Sequence, residues 1–154
     1  MSNATTSRMT NPLVLDRFLP YRLSITSNLV SERVARIYES LFALTIPEWR
    51  LIAVIAEVEA ITQAEIGERT RMDKVTVSRA AIALVERGLL ARAPNPGDKR
   101  SHHLSLTAAG RDLYASVAPK ALELESTIFS RFTQQELDGF VTMLRRIDAA
   151  ALEA

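Results

Sequence analysis

Residues 62–106 read TQAEIGERTRMDKVTVSRAAIALVERGLLARAPNPGDKRSHHLSL, and the fold turns on how this stretch is parsed. Thr62 with Glu65 three residues later has capping-box spacing, so a short helix opens there and ends near Thr70. After Arg71 and Met72, Asp73 is a second N-cap candidate. The helix it opens carries Val77, Ala81, Leu84 and Val85 on one face and stops at Gly88, the residue type favoured just past a helix end. GLLARA then reads as a strand, 94–98 as a Pro/Gly turn and 100–106 as the returning strand. Two helices across a tight turn are thus followed by a hairpin whose tip holds Lys99, Arg100, His102 and His103.

On the N-terminal side, residues 1–10 are small and polar and are expected to form a disordered tail. Asn11 and Pro12 suit an N-cap and first helical position. A helical pattern runs from there to about residue 44, with Pro20 expected to kink or split it. Thr45 and Glu48 repeat the capping spacing, with Pro47 in the first turn of the next helix. On the C-terminal side, Thr107 can cap a long helix that Pro119 is expected to interrupt, and Thr133 with Glu136 opens a last helix to about Ala151. The expected division is a tail at 1–10, helices at 11–44, a helix-and-hairpin domain at 45–106, and further helices at 107–154.

Charge locates the functional surface. The chain of 154 residues has a net charge of only +1. Residues 62–106, however, hold eight basic and five acidic side chains, whereas 107–154 hold five basic and seven acidic. The centre is therefore positive, and any anionic partner is expected there. No cysteine is present, which removes disulfide scaffolds and thiolate metal sites and fits a reducing, cytoplasmic setting. No apolar run is long enough for a membrane span, and no charged-then-apolar leader opens the sequence.

The fold class that follows is α+β and mostly helical: a winged helix-turn-helix flanked by N- and C-terminal helices expected to dimerise. An α-helix fits the DNA major groove with its N-terminal residues at the base edges. Lys74, Val75, Thr76, Ser78 and Arg79 crowd the exposed first two turns of the second helix, while Ala80, Ala81 and Ala83 keep bulk off its other side. The hairpin tip, with Lys99 and Arg100, can reach the neighbouring minor groove, whose concentrated negative potential favours arginine. Thr62 and Gln63, at the start of the supporting helix, are placed to meet phosphate. Arg79 could instead pair with Glu86 or Glu68 as an ordinary surface residue.

Three segments carry a resemblance to the MarR-type transcriptional regulators: LTIPEWRLIAVI (44–55), TQAEIGERTRMDKVTVSRAAIALVERGLL (62–90) and DKRSHHLSLTAAGRDLY (98–114). It spans roughly residues 13–150. In such proteins the second segment holds the recognition helix, and Asp98-Lys99-Arg100 matches the D-x-R motif of the wing. The resemblance implies that Arg100 enters the minor groove and that Asp98 supports the wing. It also implies a dimer built from the first and last helices, and a double-stranded, pseudo-palindromic operator as partner.

The apolar positions Leu122, Ile128, Phe129, Phe132, Phe140, Met143, Leu144 and Ile147 suit such a dimer, because two recognition helices double the contacts of one. Family members also bind small aromatic acids. Tyr21, Arg22, Ile25 and Trp49 are the candidates here for an aromatic carboxylate or its thioester, although Arg22 could simply pair with Asp16. His102 and His103 are adjacent on a strand and so point to opposite faces, which argues against a shared metal ion. No nucleophile–base set or glycine-rich phosphate loop is visible, so no enzyme and no cofactor is expected. The alternative is a winged-helix module for protein–protein assembly, which would present apolar side chains where Lys74, Arg79 and Arg100 stand.

Overall fold

A computed structural model describes residues 12–154. The proposed helix start at Asn11 lies outside the described residues. The chain divides into two compact units, Met1–Ile46 and Pro47–Ala154.

In the first unit, a single 3-10 turn at Leu15–Arg17 precedes α1, Leu19–Phe42. Pro20 stands in the first turn of α1, where its missing N–H has no helical partner to lose. It therefore marks a start and separates α1 from the turn before it. At the other end Ala43 adopts a left-handed conformation (φ 50°). Its N–H donates to the Glu39 carbonyl (3.1 Å), the bond of an αL helix cap made here without glycine, and the Leu44 N–H donates to the Tyr38 carbonyl (3.2 Å).

The second unit takes in α2 (Ile46–Glu57) from Pro47 onward and continues through β1 (Ile61–Thr62), α3 (Gln63–Thr70) and α4 (Lys74–Glu86). The wing strands β2 (Leu90–Asn95) and β3 (Asp98–Leu106) follow, then α5 (Ala108–Phe129) and α6 (Gln134–Glu153). The sheet is antiparallel with order β1-β3-β2. Strand β1 has no counterpart in the sequence reading. It is two residues long and exists because Ile61 and Thr62 pair with Leu104 and His103 of the wing.

The core of this unit is made by Leu51, Ile52 and Ile55 of α2, Ile61, Ile66, Val77, Ala81, Leu84 and Leu104, none more than 2% exposed. Every element of the helix-turn-helix and wing contributes to it, so the hairpin is anchored at its base rather than free. Thr107 ties the next helix on. Its hydroxyl donates to the Gly88 carbonyl (2.6 Å) and accepts the Gly110 N–H (3.0 Å), while its own N–H donates to the Leu89 carbonyl (3.1 Å).

Pro119, expected to interrupt the helix after Thr107, lies inside an unbroken α5. Its ring removes one hydrogen bond to the Ala115 carbonyl, and both residues are exposed, a setting in which solvent can substitute for the missing donor. In α6, Thr133 accepts the Glu136 N–H (3.1 Å) as the cap spacing predicts. No residue of α6 is buried. None of the described helices is long and apolar enough to cross a membrane.

Candidate nucleic-acid interface

The helix-turn-helix is set by two side-chain caps. Thr62 accepts the Glu65 N–H (3.2 Å), and the Glu65 carboxylate accepts the Thr62 N–H (3.1 Å), a complete capping box that fixes the start of α3. Thr62 is itself buried. Its N–H is engaged with Glu65, so only its hydroxyl hydrogen is left to donate and the more accessible position is Gln63. Arg71 then closes α3 in a left-handed conformation (φ 58°), its N–H donating to the Gly67 carbonyl (2.9 Å). This makes the tight turn into α4.

Asp73 caps α4 twice over. One carboxylate oxygen accepts the Thr76 N–H (2.8 Å) and the other accepts the Thr76 hydroxyl (2.9 Å). These two bonds, the backbone one foremost, hold the Asp73 carboxyl below its ordinary pKa. They also fix what the first turns present. The Thr76 hydroxyl is turned back to the cap, while Lys74, Val75 and Arg79 are exposed and Ser78 is half-buried. Val75 stands 57% exposed among these polar neighbours. Val77, Ala80, Ala81 and Leu84 occupy the buried side of the same helix. One face of α4 is thus locked into the core, and the other offers two cations, a hydroxyl and a branched apolar group.

The wing supplies the second cationic feature. Lys99 and Arg100 are exposed near its tip, and the Asp98 carboxylate accepts the Arg100 N–H (2.9 Å). Asp98 therefore shapes the backbone that carries Arg100. Among the described residues, Lys74, Arg79, Lys99 and Arg100 form no ion pair. The alternative partners for Arg79, Glu68 and Glu86, do not pair with it. His102 and His103 lie opposite Pro94 and Ala93 on β2, and His103 also faces Thr62 of β1. Among the described residues no group of three or more metal-ligating side chains comes together.

The effector candidates are placed differently. Tyr21, Arg22 and Ile25 share the first two turns of α1, and Arg22 donates to the Asp16 carboxylate at 3.1 Å with both side chains well exposed. In the second unit, Trp49 stacks on Tyr114 of α5 with ring centroids 5.9 Å apart and planes 15° from parallel. Tyr114 was not singled out by the sequence. It lies 65 positions from Trp49, so no local signal could have found it.

A capped helix α4, a turn onto the supporting helix α3 and a basic wing define a winged helix-turn-helix fold. Residues 44–101 match the family model described as MarR family. The chain is similar to the transcriptional regulator HosA of Escherichia coli O111:H-, 27% identical over 119 residues, covering 77% of this chain and 88% of HosA. Its fold is similar to that of Sco3205, a MarR family regulator of Streptomyces coelicolor solved in complex with DNA (TM-score 0.81, 19% identity, 93% of this chain and 92% of that one). It is equally similar to BpsR of Bordetella bronchiseptica, whose structure concerns regulation of DNA binding by 6-hydroxynicotinic acid (TM-score 0.81, 21% identity, 90% and 98%).

Proposed function

We propose that this protein is a cytoplasmic homodimer that binds a pseudo-palindromic operator, represses the adjacent promoter and is released by a small aromatic carboxylate or its thioester. The observation that carries the DNA part is the set of exposed cations, without an ion pair among the described residues, on two elements of one compact unit: Lys74 and Arg79 on α4, Lys99 and Arg100 on the wing. In this reading Arg79 and Ser78 meet base edges or phosphates, Val75 and Thr76 line the base-facing turn, and Lys74 and Gln63 hold the backbone. Thr62 acts mainly by capping α3. Arg100 enters the minor groove, with Lys99 on the flanking phosphates and Asp98 as wing support.

The dimer is supported by α6. Phe140, Val141, Met143, Ile147 and Leu152 are 42–69% exposed on a helix none of whose residues is fully buried. Left in water, that apolar stripe would invite association, and a second copy offers an identical stripe by two-fold symmetry. For the effector, Tyr21, Ile25 and Arg22 on α1 of the first unit supply an apolar face and a guanidinium that can exchange Asp16 for a ligand carboxylate. Within the second unit, the stack of Trp49 on Tyr114 is a separate candidate for an aromatic ligand. The regulation of BpsR by 6-hydroxynicotinic acid supports that ligand class.

Footprinting of the chain's own upstream DNA tests the reading. It should show a two-fold symmetric protected segment with half-sites about one helical turn apart. No protection of any segment at low salt would overturn it.

A further inference from the structure

The wing tip is organised by a side chain outside the D-x-R motif. Asn95 ends β2 at an irregularity, where the pairing steps from Pro94 opposite His102 to Asn95 opposite Asp98. Its Nδ2 donates across the hairpin to Ser101 Oγ (2.9 Å), and its Oδ1 accepts the Gly97 N–H (3.0 Å). The Gly97 N–H fixes which end of the amide is which, because a flipped amide would set donor against donor. Asn95 is half-buried while Pro96 to Arg100 are exposed. The five tip residues are therefore tied at both ends by one amide, and Asp98 sets the turn between them by accepting the Arg100 N–H.

We propose that Asn95 is a positioning residue for Arg100, holding the wing in its DNA-competent shape before DNA arrives; this rests on the reading above that the wing reaches a minor groove. A loose five-residue tip loses conformational freedom on insertion, and that loss opposes binding. A tip already closed by the Asn95 amide has less to lose. Asn95 is three residues outside the Asp98-x-Arg100 motif, and it contributes through backbone shape rather than through charge. Ser101, as its cross-strand partner, belongs to the same device.

The test is a double-mutant cycle on DNA binding. Asn95→Ala, Arg100→Ala, Ser101→Ala and the pairs are titrated against the footprinted half-sites in two duplexes, one flanked by A·T pairs and one by G·C pairs. Asn95→Ala should weaken binding to the A·T-flanked duplex by about three- to tenfold and leave the G·C-flanked affinity within about twofold. In the Arg100→Ala background Asn95→Ala should add nothing, and Ser101→Ala should reproduce part of the loss without adding to it. An equal loss on both duplexes, or a loss that persists without Arg100, would overturn the positioning role. If Arg100→Ala itself changes neither affinity, the wing reading fails instead and takes this inference with it. Thermal melting of each variant separates these outcomes from unfolding, since a tip substitution leaves the core untouched.

Discussion

Glu48, buried in α2, places its carboxylate 3.8 Å from the guanidinium of Arg87, the residue that closes α4. The two sides are unequal, with 11% of the Glu48 side chain exposed against 39% for Arg87. Arg87 also sits where a cation favours the end of the helix dipole. Arg87→Ala removes the cation beside a carboxylate that water hardly reaches, whereas Glu48→Gln leaves a guanidinium that solvent can reach. Arg87→Ala should therefore lower unfolding free energy by about 1–3 kcal/mol and Glu48→Gln by less, as read by urea denaturation. The reverse order would mean that the pair does not brace α4.

The cap at Asp73 makes a pH prediction. Its carboxyl is held below the ordinary value of 3.8 by the bonds from Thr76. A folded-state pKa that is depressed contributes stability at pH above the unfolded value, lost as pH falls through the folded one. The protection factor of the Thr76 amide, its exchange rate relative to the intrinsic rate at the same pH, should thus be high near neutrality and fall in that acid window. Asp73→Ala should abolish the protection at every pH. Unchanged exchange in that variant would refute the cap's importance to the recognition helix.

Gly110 is required by a close approach. A Cβ there would run into the Leu89 carbonyl and meet Leu106 Cδ2 at 3.3 Å. Since Leu89 lies between the end of α4 and the wing, the backbone has little room to yield. Gly110→Ala should cost about 1–3 kcal/mol in chemical denaturation despite the higher helix propensity of alanine. A stabilised variant would show that α5 can shift freely.

Val75 offers a chemical test of base reading. It is the exposed apolar group in the first turn of α4, and thymine alone among the four DNA bases shows a methyl in the major groove. Replacing single operator thymines by deoxyuridine should weaken wild-type binding severalfold at one or two positions, by about 1 kcal/mol each. Val75→Ala should lose that discrimination. Equal sensitivity in the variant would remove Val75 from the base-reading set.

Arg22 allows the effector reading to be tested through release of DNA. Titration of the protein–DNA complex with small aromatic acids should dissociate it saturably. Arg22→Ala should abolish the response to carboxylates while leaving operator affinity within about twofold. A response that survives in Arg22→Ala would place the carboxylate elsewhere.

The parts legible in the sequence are those whose physics is local. The caps at Thr62, Asp73, Thr107 and Thr133 are each spelled within four residues, and each forms as spelled. The stop at Gly88 likewise takes its positive φ of 71°. Hidden features depend on distant partners or unusual fillers. Strand β1 needs His103 and Leu104 to exist at all. Ala43 and Arg71 end helices in left-handed conformations that neither residue advertises. Pro119 stays helical at an exposed position of α5, where losing one backbone bond leaves no buried group without a partner. The cations of the candidate interface were legible because charge on an exposed helical face needs no tertiary partner. The Asn95 amide bridge becomes visible only once the β2–β3 register is known.

The central claim is sequence-specific DNA recognition by a basic helix and wing, and one measurement bears on it most directly. Purified protein is titrated against the footprinted duplex and a scrambled duplex of equal length, from low to physiological salt. The account predicts affinity for the specific duplex at least about a thousandfold tighter near physiological salt, falling steeply as salt rises. Equal affinity for the two duplexes across the whole salt range would contradict it.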